Sequence, residues 1–297
     1  MTMKFIKYII GASFLLLLAC DKISGPYTRF SENDDSVDPS ICPRPVFTDR
    51  ASPVRKVLIE DFTGFLCPNC PTGAAEAKRL KNLYPGQVLV MAVHTGQFAI
   101  PDPSEGYSQD FRTPTGDAIA AFYQITAFPN GLISRTPYRS TTVLYYDTWA
   151  AAIDSLTHLT PDMDIQIINE MDTASKKLCT HIQTRFLKTT QKQLMLAVYL
   201  IEDSIHTKQK NNNPSIGTRP EMADYTQLHV LRKAINSTWG SVIATTSDTM
   251  KVDKKVYRSY SLVLDASWKP KHCAVIAFVY DANSKAILQA EEKMVME

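Results

Sequence analysis

The stretch Asp61-Phe-Thr-Gly-Phe-Leu-Cys67-Pro-Asn-Cys70 constrains this chain more than any other, because it sets a C-x-x-C pair directly after an apolar run. Val57, Leu58, Ile59 and Phe62 read as a buried strand, and after Cys70 the residues Ala74, Ala77, Leu80 and Leu83 recur at helical spacing. Cys67 is therefore expected at a strand-to-helix turn. There the unpaired amides and dipole of a helix N-terminus favour a thiolate on Cys67 over one on Cys70, which lies further into the helix. Pro68 suits a first helical turn, where no backbone donor is needed. A strand, a cysteine pair and a helix in that order predict an α/β unit able to perform thiol chemistry.

The surroundings of the pair resemble a thioredoxin-type domain. Asp61 stands six residues before Cys67, the place where thioredoxins keep a buried carboxylate that takes and returns the proton of the second cysteine. Pro129, within Ile125-Thr-Ala-Phe-Pro-Asn-Gly-Leu-Ile133, is similar to the cis-proline that faces the disulfide just before the next strand. The resemblance thus implies a site of Cys67, Cys70, Asp61 and Pro129, if it is redox-active. Two departures stand out. The residues between the cysteines are Pro68-Asn69 rather than Gly-Pro, and residues 95–115 look like an insertion that covers or reshapes the groove.

Two close cysteines also suit an inert staple or a pair of metal ligands. A structural zinc site needs four ligands, usually two such pairs or a Cys pair with a His pair, and the six histidines here are scattered singly. No metal and no cofactor are expected. His94, at the end of the strand over residues 88–93, reads as a partly buried strand-end histidine rather than a member of the site. Staple and redox pair both remain open.

Residues 1–19 read as a targeting segment. Lys4 and Lys7 precede an apolar core, and Leu17-Leu18-Ala19-Cys20 resembles a bacterial lipobox, in which Cys20 is lipidated and becomes the new N-terminus. The apolar run is too short for a comfortable membrane span, so a lipid-anchored body is expected. Residues 20–52, with their Ser, Pro and Asp and little periodicity, are expected to form the lipidated cysteine and a tether. A hydrophobic content of 44% with 21% charged residues supports a packed core, and a net charge of +2 implies no nucleic-acid partner. Of the remaining cysteines, Cys179 and Cys273 lie in strand-like runs and suit a bridge, while Cys42 is able to pair with either, or all three stay free.

A helix over residues 142–159 closes the thioredoxin-like domain, residues 53–160. From Met163 onward, runs such as Leu178-Cys-Thr-His-Ile182-Gln-Thr-Arg-Phe186 alternate with turn clusters, which predicts an all-β antiparallel sandwich domain over residues 161–297, with one wet side on that strand. Between Asp203 and Tyr225 runs a long polar excursion containing Lys208-Gln-Lys-Asn-Asn-Asn-Pro214, read either as a contact surface for an acidic protein partner or as a solvated loop.

The lipobox, Glu60-Asp61-Phe-Thr-Gly ahead of Cys67, Leu196-Ala-Val-Tyr-Leu-Ile-Glu-Asp203, His229-Val-Leu-Arg-Lys-Ala-Ile-Asn236 before Trp239-Gly240, and Val275-Ile-Ala-Phe-Val-Tyr280 together resemble the outer-membrane-protein-28 family. The resemblance implies a lipoprotein of the Gram-negative outer membrane with a thioredoxin-like half and a β-rich half. Its founding type is regarded as a surface receptor or adhesin. Two functions follow as expectations: a surface-binding lipoprotein in which Cys67–Cys70 is a staple, or a tethered thiol–disulfide oxidoreductase in which Cys67 attacks and Cys70 resolves.

Overall fold

The computed structural model describes residues 37–296; Cys20 and the targeting segment lie outside them. The apolar run forms β1 (Val57–Thr63), with every residue buried. It turns through the cysteine pair into α1 (Cys70–Leu83), which starts at the second cysteine, so that Pro71 and not Pro68 occupies the first helical turn. β2 (Val88–His94) returns parallel to β1, with Val57 beside Val88 and Asp61 beside Ala92. This crossover is what a buried apolar strand followed by an amphipathic helix produces.

Within the stretch read as an insertion, short 3-10 turns at Gln97–Ala99 and Pro103–Glu105 precede α2 (Pro114–Phe122). The Thr113 hydroxyl caps α2 by accepting from the Gly116 amide at 2.9 Å. After the cis Phe128–Pro129 bond, β3 (Asn130–Ile133) runs antiparallel to β1 and pairs in turn with β4 (Val143–Tyr145). The helix expected from residue 142 therefore begins later, as α3 (Trp149–Thr157). Its first residues, including β-branched Val143 and aromatic Tyr145, are better strand than helix formers.

Strands then dominate: β5 (Met163–Asp172), β6 (Lys177–Phe186), β7 (Leu194–Glu202), β8 (Ile205–Lys210), β9 (Glu221–Gln227), β10 (Val230–Ala234), β11 (Ser241–Ala244), β12 (Lys255–Val263), β13 (Cys273–Asp281) and β14 (Ile287–Met294). Strands from both sides of residue 160 share one nine-stranded sheet, ordered β14-β13-β7-β10-β2-β1-β3-β4 with β11 alongside β7. The junction is β10, which places Val230 beside Ala92 of β2. A second sheet holds β12-β6-β5 and a third is the β8–β9 hairpin. The fold is β-rich, in mixed and antiparallel sheets with few helices.

Alternation along the strands assigns the layers. On one face of the large sheet Leu58, Phe62, Met91, Ala197, Tyr199 and Phe278 make a continuous core under α2. On the other face, Val57, Ile59 and Val90 pack against Leu80 of α1 and Trp149 and Ile153 of α3. Further along that face Leu196, Val198, Val275 and Ala277 meet Ile165, Ile182 and Phe186, so that the three-stranded sheet closes a sandwich over β7 and β13.

The outer side of β6, expected to be wet, is covered. Residues 41–50 cross it as a strap. Cys42 is disulfide-bonded to Cys179, Asp49 accepts from Gln183 and pairs with Lys255 at 2.8 Å, and Arg50 binds Asp164 at 3.1 Å and Glu291 at 2.6 Å. Of the pairings that the sequence left open, the structure takes Cys42 with Cys179, and Cys273 stays free and buried. No helix among the described residues is long and apolar enough to cross a membrane.

Candidate functional site

Cys67 and Cys70 form a disulfide at the mouth of α1. Both are only 1% exposed. The turn is drawn tight by the Cys67 amide donating to the Gly64 carbonyl at 3.0 Å and by the Cys70 amide donating to the Cys67 carbonyl at 3.3 Å. Asp61 sits on the central strand between Ala92 of β2 and Gly131 of β3, buried, with no hydrogen-bond partner for Oδ1 among the described residues. Burial raises its carboxyl to about 7, because a carboxylate there has no water to solvate it. Pro129, reached through the cis bond, packs on α1 one turn beyond Cys70. A Cβ added at Gly73 would lie 2.8 Å from the Pro129 Cβ, so only glycine admits the proline there. The four residues singled out by the resemblance are thus gathered around one turn.

Two segments roof this turn. The excursion after Asp203 is the β8–β9 hairpin rather than a loop, and it is laid across the cysteines. The Lys210 amide donates to the Phe65 carbonyl at 2.8 Å and the Asn212 amide to the Pro68 carbonyl at 2.8 Å. Gln209, buried, aims its side-chain amide at the carbonyls of Cys67 (3.1 Å) and Gly64 (3.3 Å), while its own carbonyl accepts from Gln227 at 2.9 Å. On the other side the 95–115 segment closes in. The Leu66 amide donates to the Phe98 carbonyl at 2.9 Å, and that carbonyl would lie 2.4 Å from any Cβ at Gly64.

The roof has its own small core. Phe65 of the cysteine turn stacks on Tyr107 at 5.4 Å and meets Phe111 edge-on at 6.2 Å, with Val230 buried among them and Ile205 packed against the group. Each such buried side chain contributes roughly 1.5–3 kcal/mol. The Tyr107 hydroxyl donates to Glu221, which also pairs with Lys208 at 2.6 Å, and Lys208 donates to the Glu105 carbonyl at 2.7 Å. Insertion and hairpin are therefore latched to each other as well as to the turn.

The family model for outer membrane protein Omp28 matches residues 116–297, more than half of the chain. The chain belongs to the Omp28 family. It is accordingly an outer-membrane lipoprotein, anchored by lipid. Among solved structures it is similar to HBP35 of Porphyromonas gingivalis, at 16% identity over 83% of this chain and 77% of that one, with a TM-score of 0.59. A protein from Agrobacterium tumefaciens is similar at 12% identity over 83% of this chain and 97% of that one, with a TM-score of 0.51. These two likenesses show the fold. A domain of the outer membrane lipoprotein Omp28 from Porphyromonas gingivalis overlaps at 18% identity, 46% of this chain and 90% of that one, with a TM-score of 0.30. No curated protein sequence matches the chain.

In this Omp28-family protein His94 is buried against Phe111 (5.0 Å between ring centroids) and Phe65 (6.3 Å). Burial, with the Arg232 charge adding, lowers its pKa to about 3 and keeps the imidazole neutral. It belongs to the aromatic core of the roof. Among the described residues no group of three or more His, Cys, Asp or Glu is placed to hold a metal ion. The residues that sequence reading missed are Gln209, Gln227, Tyr107 and Phe111. The aromatic pair was the available signal, since a solvated insertion has no use for Tyr107 and Phe111 four positions apart; Gln209 carried none.

Proposed function

We propose that this protein is a lipid-anchored, non-enzymatic binding protein of the outer membrane, of receptor or adhesin type, in which Cys67–Cys70 is a staple. The observation that supports it is the enclosure of the pair: both sulfurs are buried beneath Gln209, Lys210 and Asn212, whose donors occupy the carbonyls of Gly64, Phe65, Cys67 and Pro68. A thiol–disulfide exchanger needs its attacking sulfur open to a protein substrate, and here the approach is filled by the chain itself. In this reading Cys20 carries the lipid, the tether expected over residues 20–52 gives way to the body where residues 41–50 dock as the strap, residues 53–160 are a thioredoxin-like unit kept for its architecture, and residues 161–297 are the sandwich unit. The exposed tip of the hairpin, with Asn212, Pro214, Ser215 and Arg219, is the surface offered to a protein partner.

A second reading, a tethered thiol–disulfide oxidoreductase, draws on a specific observation. Asp61 is buried with a carboxyl raised to about 7, and cis-Pro129 packs on α1 beside the pair. In such an enzyme Asp61 would take and return the Cys70 proton, and Phe128-Pro129 would present backbone to the substrate. Turnover separates the two. The full mature chain is incubated with a disulfide-bonded protein and a dithiol reductant, with Cys67→Ser as control. The binding-protein reading expects wild type and Cys67→Ser to be indistinguishable, and to be reachable by antibody on intact cells. Cysteine-dependent turnover would replace it with the oxidoreductase.

A further inference from the structure

A cavity of about 460 Å³ lies between α1 and the underside of the β8–β9 hairpin. That size falls in the range of small-molecule sites, which are mostly apolar with a few convergent polar groups. Pro71, Ala74 and Ala77 of α1, Val90 of β2 and Ile216 of the hairpin supply apolar wall. Asp61 lines it too, 2% exposed and with Oδ1 unpartnered. A buried acceptor left without a donor is costly, and native proteins seldom leave one without a reason. The neighbouring amides are not available to satisfy it. Gln227 donates to Gln209, and Gln209 is committed to the cysteine turn. Burial is what acts on the Asp61 carboxyl, and no cation among the described residues forms an ion pair with it. Lys78 lines the cavity as an exposed residue whose charge is screened by solvent.

We propose that this cavity is a binding site for a small organic cation, a primary ammonium or guanidinium on a short apolar body, whose head donates to Asp61. The body lies along the alanine face of α1 and the head supplies the hydrogen bonds and the charge that Asp61 lacks. An ionised carboxylate accepts only, so a donor cation matches it, whereas an anion of the same length meets like charge. The small side chains of Ala74 and Ala77 leave the volume open, and Tyr225 and Leu228 shut it on the hairpin side. The site does not depend on whether Cys67–Cys70 cycles, since it uses Asp61 and not the sulfurs.

Hexylammonium is the probe, titrated into the full mature chain by calorimetry and by ligand-observed NMR at pH 8, with hexanoate as the matched anion. The expected result is saturable hexylammonium binding, at least tenfold weaker for hexanoate, and at least tenfold weaker in Asp61→Asn. Ala74→Met fills the cavity without touching the carboxylate and is expected to weaken hexylammonium binding at least tenfold as well, with the circular dichroism of the parent retained. If Asp61→Asn fails to fold, Ala74→Met decides alone. Absence of saturable binding, or affinities for hexylammonium unchanged in Ala74→Met, would overturn the proposal.

Discussion

Substituting Gln209 by alanine probes the roof over Cys67–Cys70 where it is most concentrated. The Gln209 side-chain amide serves the carbonyls of Cys67 at 3.1 Å and Gly64 at 3.3 Å, and its carbonyl is the acceptor for Gln227 at 2.9 Å. Alanine removes one bond from each of these two carbonyls, which keep the Cys67 and Cys70 amides as donors, and takes the acceptor from the Gln227 amide. At a net cost of about 1 kcal/mol for each lost bond, the hairpin's hold on the turn falls by about 2–3 kcal/mol. The backbone bonds from Lys210 and Asn212 remain, so the variant folds with a weaker latch. A small dithiol reaches the buried sulfurs only when the hairpin lifts. If lifting is fast and reversible, the reduction rate follows the open population. At tenfold for each 1.4 kcal/mol, 2 kcal/mol is about 30-fold. The assay is the rate of Cys67–Cys70 reduction by dithiothreitol, read by alkylation and peptide mass spectrometry. The Cys42–Cys179 bond in the same molecule is the internal reference, because the strap that carries it is held by β5, β6, β12 and β14. A Gln209→Ala rate within about twofold of wild type, with the reference unchanged, would refute the idea that the hairpin controls access.

Three further outcomes follow from buried groups. The Asp61 carboxyl is raised from 3.8 to about 7 by burial, so between those values the folded state holds a proton that the unfolded state has released. Stability therefore falls as pH rises through that window, and Asp61→Asn gains up to about 4 kcal/mol over wild type at pH 8, with the gain vanishing near pH 4; urea unfolding at the two pH values measures it, and parallel profiles for the two proteins would contradict it. Glu60 and Arg135 form a two-pronged pair at 2.7 Å with both side chains fully buried, so Glu60→Ala strands a cation and costs about 3–5 kcal/mol. Replacing both residues by leucine recovers much of that loss, and thermal unfolding of the three proteins checks it. The Cys42–Cys179 bridge closes 137 residues of chain; its removal in Cys42→Ser/Cys179→Ser costs about 2–4 kcal/mol and opens residues 41–50 to limited proteolysis.

The parts of this molecule that are local in sequence were legible in it. β1 and α1 follow from the run at Val57 to Phe62 and the alanine–leucine spacing after Cys70, and Asp61 and Pro129 were found through the resemblance and do converge on the turn. The covering of that turn was not legible. Gln209 lies between two lysines in a run of polar residues, the composition of a solvated loop, and its burial depends on contacts with residues more than a hundred positions away. The same holds for the outer side of β6, whose His181 and Gln183 sit at alternate positions as polar residues of a wet face should and are buried on the side that the strap crosses. Polar residues buried by distant segments leave no periodic trace, because period reports one element's own faces and not what later comes to lie on them.

The most direct test is the reduction potential of Cys67–Cys70 in the full mature chain. An enclosed staple predicts a value below about −300 mV, resistant to physiological thiols. A value between about −120 and −270 mV, where known exchangers lie, would contradict it and make the hairpin the lid of a redox enzyme.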